Sequence, residues 1–443
     1  MLQTNHISKI IFDDYLVNNK IPDKKDLRTL AEFNLYDAFV ECQKYIESFE
    51  DSKEVLNLLK TVKNRLDFIF YVLEDEGAVY TVFEVLNSRG LAVAWMDKCK
   101  SMLMGIVFES CSPADAKEKM TLLHDIWSKI YETIGKQIVR DDEILAIAAT
   151  LWYDGDTLGK PLSVEKAVET FRNSCKQEPE KTIDVSRWLL KVTTELVRLY
   201  ANPRLNAVTD ISHARMLAIA IRLAEHYSIE EREAMLAIWE KVTFLIFGLY
   251  RMDSRFRVGD YVRTARKISK NKISFDDGME EIRKISDKFT IDGAISKILG
   301  ENWYGSYDND VKYLLYRYEE YLCEQNHESI TTDLWEKIWS ESPAKTIEHI
   351  HPQTYKDTWK GKIGTNQEEI ETTVHTIGNL VLLPPGINSI AGQKPFSEKK
   401  EIYKKYHLFM LEKIRENEDW GKIEIENREL ELIDFIKIKW GTV

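Results

Sequence analysis

From about Asp141 to Trp339 the chain repeats apolar residues at intervals of three and four, in segments such as VSRWLLKVTTELVRLYA, HARMLAIAIRLAEHY and EAMLAIWEKVTFLIFGLY. That spacing lays one apolar stripe along each segment, which suits packed helices and not an extended sheet. ANPR, YSIEE and ENWYGSYDND supply the breaks between them. Leu30 to Phe49 and Val55 to Val72 read the same way, so the N-terminal and middle regions are both expected to be helical. No fixed-period repeat and no low-complexity tract interrupts this pattern.

At 443 residues the chain exceeds the size at which one core keeps growing. Three units are expected: residues 1–140, 141–340 and 341–443. Within the first, YTVFEVLNSRGLAVAWMDKCKSML leads β-branched and aromatic residues into Asn87-Ser88-Arg89-Gly90, a turn signal, before a further amphipathic helix. The apolar run from Val242 to Tyr250 (VTFLIFGLY) lies between Lys241 and Arg251 and is too short to span a bilayer, so it reads as a buried helix.

Five scattered cysteines, Cys42, Cys99, Cys111, Cys175 and Cys323, contain no C-x-x-C pair. They make neither a disulfide framework nor a structural zinc site, and reduced thiols in a cytoplasm are the expectation. The start of the chain has no secretory pattern, which agrees with a cytoplasmic location. A formal net charge of −12 opposes indiscriminate nucleic-acid binding over the whole surface but leaves room for a local basic groove. Two stretches qualify: Arg251 to Lys272, with Arg255 and Arg257, and Lys394 to Lys405. Gly155 to Pro161 approaches a phosphate-binding loop but is one residue short and has Pro where a hydroxyl belongs, so it reads as a helix–helix connection.

After Pro343 the pattern changes. KTIEHIHPQ is a strand-like run closed by Pro352, Tyr355 to Glu371 is polar and loop-like, and HTIGNLVLLPP is a second strand ended by two prolines. A helix is expected from about Asn388 or Phe396. Within this segment Glu348 offers a hard oxygen suited to Mg²⁺, and Asn388 an amide oxygen from the helix start. His349 can take a proton from water at neutral pH. These are the parts of metal-assisted phosphodiester hydrolysis.

EHIHPQ followed by HTIGNLVLLPPGINSIAGQKPF resembles the HNH (His-Me finger, ββα-metal) nuclease domain at the C-terminus of GmrSD-type, modification-dependent (type IV) restriction endonucleases. FEVLNSRGLAVAWMDKCKSML is similar to the later part of the domain that precedes it. The resemblance implies a mainly α chain with a small C-terminal ββα-metal unit, and DNA as substrate, including modified phage DNA such as that with glucosylated hydroxymethylcytosine. It implies Mg²⁺ or Mn²⁺ as cofactor. His349 would be the general base, Glu348 and Asn388 the metal ligands, and Asn379 the tie between the two strands that holds His349. Lys394, Lys399 and Lys400 are expected to face the DNA backbone, a reading made beside the motif and not implied by it.

Two departures from the family pattern matter. His351 stands where an aliphatic residue is usual; in a regular strand it shares a face with His349, with Glu348 opposite, and so rivals or assists the base. A bulge or the strand's end would bring Glu348 and His349 to one ion. The family's ParB-like nucleotide-hydrolysing motif is absent, so the chain reads as beginning after it, and a partner or oligomer would supply that function. Two other functions compete: a dormant helical binding subunit that needs a partner, and a zinc-dependent hydrolase using His349, His351 and His375.

Overall fold

The computed structural model describes residues 18, 23–67, 94–135, 139–155, 158–305, 307–354 and 357–441. The chain is 70% helical, with 21 α-helices and one two-stranded sheet among the described residues. It packs into two compact units: residues 1–156 with 161–198, and residues 157–160 with 199–443. Asn87 and Arg89 lie outside the described residues.

The first unit holds α1 (Leu30–Glu47), α2 (Ser52–Arg65), α3 (Trp95–Ser110), α4 (Pro113–Ile134), α5 (Asp141–Trp152), α6 (Val164–Gln177) and most of α7 (Lys181–Ala201). Its core is apolar, with indole N–H groups given internal acceptors. Trp127 Nε1 donates to Ser186 Oγ at 3.2 Å and Trp188 Nε1 to the Ala148 carbonyl at 2.9 Å.

The second unit begins with α8 (Pro203–Ala207), α9 (Ser212–Leu223), α10 (Ile229–Phe244), α11 (Val258–Ser269), α12 (Phe275–Lys284) and α13 (Ile291–Ile298). Ser228 starts α10 reciprocally: its hydroxyl accepts from Glu231 N at 3.1 Å while the Glu231 carboxylate accepts from Ser228 N at 2.7 Å. The apolar run beyond Val242 continues α10 as a buried π-helical turn, Leu245–Leu249.

Then come α14 (Asp308–Gln325), α15 (Thr332–Trp339), α16 (Pro343–Thr346), β1 (Ile347–His349), α17 (Gln367–Val374) and β2 (Leu380–Leu382). The chain closes with α18 (Ile387–Ala391), α19 (Phe396–Tyr403), α20 (Phe409–Arg415) and α21 (Lys422–Trp440). Helix α17 falls partly inside the stretch expected to be loop: Asn366 accepts from Glu368 N at 2.9 Å, and Glu368 and Glu369 favour the first turn. The single helix expected after the second strand is two, α18 and α19, with Gly392 at positive φ and Pro395 between them.

Buried Glu319 on α14 holds α20 in place. Its carboxylate accepts from Phe409 N at 2.6 Å and Met410 N at 2.9 Å, two amides that the helix itself leaves unpaired. Burial pushes the carboxyl up to about 7, with the two amides opposing the rise and Glu412 adding to it. The folded-state value lies above the ordinary 4.5, so the folded protein holds this proton more tightly. Its contribution is therefore complete below about pH 4.5 and lost as pH rises through about 7. Urea unfolding between those limits should show a fall of up to about 3 kcal/mol from this group. Glu319→Gln is expected to flatten that part of the profile.

Candidate active site

β1 and β2 form an antiparallel pair with Ile347 opposite Leu382, Glu348 opposite Val381 and His349 opposite Leu380. The ladder is extended at both ends, by Leu383 N to the Thr346 carbonyl at 2.8 Å and Ile350 N to the Asn379 carbonyl at 3.0 Å. Six strand residues make a marginal sheet alone, so the hairpin depends on what surrounds it. Helix α21 is the main support. Arg428 donates through Nη1 to the carbonyls of Ile377, Gly378 and Leu380 at 3.2, 2.9 and 2.7 Å. Gly378 lies so close to α21 that a Cβ there would sit 2.1 Å from the Ile425 carbonyl oxygen, which explains a glycine before Asn379.

Asn379 is fully buried and uses its whole amide. Oδ1 accepts from His351 N at 2.8 Å and Trp420 Nε1 at 3.1 Å, while Nδ2 donates to the carbonyls of His351 at 2.9 Å and Val374 at 2.8 Å. The amide therefore grips the backbone two residues beyond His349. Asn379→Ala would leave the His351 N–H and the Trp420 indole buried without acceptors, and a loss of about 2 kcal/mol, seen as a lower thermal midpoint, is expected.

Strand β1 ends at His349, so period two does not carry on to His351. The His351 ring packs on Trp359 at 4.8 Å and contacts the carbonyls of Pro352 and Trp359. The His349 ring lies in other surroundings. Its Nδ1 is 3.1 Å from the Gln353 amide nitrogen and its Nε2 is 3.1 Å from His375 Nδ1. Tyr304 meets His349 edge-on at 4.5 Å and stacks on His375 at 5.7 Å. A shared face for His349 and His351 is thus corrected, and the three imidazoles of the zinc reading do not converge. No group of three potential metal-binding side chains of the His, Cys, Asp and Glu types occurs among the described residues.

With the Gln353 amide nitrogen on His349 Nδ1, the favoured tautomer carries the ring proton on Nε2, 3.1 Å from His375 Nδ1. Burial holds His349 down to about 3, with the neighbouring His375, Lys399 and His351 adding to the fall. Burial likewise holds His351 down to about 4. His375 is half-buried and also lowered by burial, with Glu371 and Asp308 opposing.

Glu348 leaves the strand on the side of α19. Its Oε1 accepts from Lys399 Nζ at 2.6 Å and from the Tyr403 hydroxyl at 3.3 Å, and Lys399 Nζ also donates to the His349 carbonyl at 2.8 Å. Lys399 is fully buried, which corrects the expectation that it faces DNA. The helix turns Phe396, Lys399 and Tyr403 inward together. Burial raises the Glu348 carboxyl and lowers the Lys399 ammonium, and their contact opposes both shifts.

Lys400 is tied to the Asn417 carbonyl at 2.7 Å, and exposed Lys394 pairs with Glu398 at 3.3 Å. Arg255 pairs with Asp253, and Arg257 with Asp260 and Asp287, so their charge is balanced by carboxylates in place. The basic run they belong to offers less free charge than its sequence suggests.

Asn388, at the start of α18, donates through Nδ2 to the Ile347 carbonyl at 2.8 Å, one residue from Glu348. Its Oδ1 and the Glu348 Oε2 have no hydrogen-bond partner among the described residues. One carboxylate oxygen and one amide oxygen suit Mg²⁺, which keeps several waters and takes phosphate oxygens to complete six positions. They do not suit a closed zinc site.

Residues 292–435 match the family model for the C-terminal domain of GmrSD restriction endonucleases. The chain carries a GmrSD-type restriction endonuclease C-terminal domain. Comparison with curated proteins gives no match. The GmrSD-type domain takes in the whole hairpin and also Tyr304, which lies upstream of the segment expected from sequence. Such a domain implies DNA as substrate and a divalent cation as cofactor. No described helix is long and apolar enough to cross a membrane.

Sequence reasoning missed Tyr304 and Gln353 around His349, and grouped His375 with it only as a zinc ligand. Gln353 carried a signal, since Pro352 turns the chain and brings back a side chain four residues on. Tyr304 carried none.

Proposed function

We propose that the GmrSD-type domain is an HNH endonuclease that cuts DNA with Mg²⁺ or Mn²⁺, directed at foreign or modified phage DNA. The observation that supports this reading best is the backbone proximity of three residues around β1, with the Glu348 side chain turned to α19 and the His349 ring to His375. Glu348 and His349 are adjacent on β1, and the Asn388 amide is anchored on the Ile347 carbonyl beside them.

His349 is the general base in this reading. Exchange of the Gln353 amide for a water on Nδ1 would let that nitrogen take a proton while Nε2 passes its own to His375 Nδ1. The positive charge then rests on a less buried ring near Glu371 and Asp308, which offsets the cost of charging the buried His349. Glu348 and Asn388 would hold the cation, which supplies charge for the phosphate oxygens and the leaving group. His351 keeps a packing role, and Asn379 holds the chain that carries His349.

A dormant unit is the second reading, favoured by the engagement of both His349 ring nitrogens. Purified protein incubated with unmodified and modified phage DNA, with Mg²⁺ or with chelator, separates the two. Metal-dependent cutting supports the enzyme; intact DNA under every condition sinks it for this chain alone. His375→Ala is expected to slow cutting by about 10–100-fold at an unchanged thermal midpoint.

A further inference from the structure

The second unit contains a cleft of about 450 Å³ between α14 and α15, away from the hairpin residues described above. Tyr316, Trp335 and Trp339 form its aromatic wall, with Tyr316 meeting the two indoles edge-on at 4.5 and 5.1 Å. Helical spacing makes that wall: Trp335 and Trp339 are one turn apart on α15, and Tyr316 and Glu320 one turn apart on α14. Lys312 already lies over Trp339 at 4.9 Å, so this wall accepts a cation within the protein itself.

Four carboxylates line the cleft. Glu320 is paired with Arg317 at 2.6 Å, whereas Glu324, Glu328 and Glu336 have no ion-pair partner among the described residues. Their field reaches Cys323 in the cleft, whose thiol is pushed up to about 12 by burial and by the negative charge of Glu319, Glu328, Glu320 and Glu324. Trp335 lines the cleft, is only 6% exposed, and its buried Nε1–H finds no acceptor among the described residues.

We propose that this cleft receives an arginine or lysine side chain of a partner polypeptide. The cationic head would lie against the aromatic wall between the unpaired carboxylates, and a backbone carbonyl of the same segment would accept from the Trp335 indole. Three features select this occupant. Unpaired carboxylates repel a nucleic-acid backbone. Aromatic faces and negative charge together favour guanidinium or ammonium. The orphaned indole N–H calls for an acceptor, which a peptide has and a free polyamine lacks. Ile330, Ala201 and Pro203 supply apolar lining for the aliphatic stem.

The test is fluorescence anisotropy of the full chain with a dye-labelled Gly-Gly-Arg-Gly-Gly peptide at low salt, without DNA. Saturable binding is expected, weakened about tenfold or more when citrulline replaces arginine. The triple variant Glu324→Gln, Glu328→Gln, Glu336→Gln should lose a similar factor, and Trp339→Phe should test the wall with its ring retained. A control variant neutralising the exposed Glu47, Glu50 and Glu54 should bind as wild type. Equal binding of the citrulline peptide, equal loss in the control, or displacement of the peptide by spermidine at the same concentration as by unlabelled peptide would each overturn the proposal. The assay involves no cleavage, so its outcome is independent of the nuclease reading.

Discussion

Lys399→Met is expected to cost about 3–5 kcal/mol of unfolding free energy, because it removes one partner of a buried ion pair and leaves the other charge stranded. Glu348 is 2% exposed and Lys399 is fully buried, so water replaces little of the lost contact. The Tyr403 hydroxyl would remain on Glu348, yet a single neutral donor at 3.3 Å does not replace an ammonium at 2.6 Å. Urea unfolding at neutral pH measures the loss. The double variant Glu348→Gln, Lys399→Met should recover much of it, since no charge is then left in the core. A single variant within about 1 kcal/mol of wild type would mean that Glu348 and Lys399 do not form the pair described.

His349→Ala should reduce DNA cutting by about 10²–10⁴-fold while the protein stays folded, the range typical for removal of a general base. The ring contacts Gln353, His375 and Tyr304, but the hairpin around it is held by the Asn379 and Arg428 hydrogen bonds, none of which involves the imidazole. Circular dichroism and the thermal midpoint check folding, and a plasmid or phage DNA assay checks activity. Cutting that survives in the folded variant would remove His349 from the mechanism. His351 would be a poor replacement in that event, since its ring is fully buried against Trp359 and tied to two carbonyls.

The helical regions were legible because their apolar spacing repeats over many turns, and the two strands because GNLVLL and EHIHP carry β-branched residues bounded by prolines. The two strands followed from few residues, but their register and supports did not. Arg428 lies far along the chain in a helix whose sequence reads as an ordinary charged amphipathic segment, and nothing local marks it as the clasp on residues 377–380. Lys399 is the instructive error. Phe396, Lys399 and Tyr403 recur at helical spacing, so an inward face was visible in KPFSEKKEIY. Reading the segment by charge sent the lysine to the surface, whereas a buried glutamate waiting across the interface drew it in. In the basic run around Arg255 and Arg257, Asp253 and Asp260 stood within the run itself, and only Asp287 arrives from a later helix end.

The dependence of the hairpin on α21 has a consequence for synthesis. A ribosome delivers the chain from its N-terminus, and domains assemble as their parts emerge. Glu348, His349 and Asn388 all leave the tunnel well before Arg428 and Ile425, against which the segment entering β2 is seated. Until that late helix arrives, the nascent segment has its Asn379 and Lys399 contacts but lacks the Arg428 clasp. The clasp is therefore made late, and the support it gives the geometry proposed for cutting DNA is complete only after α21 has emerged.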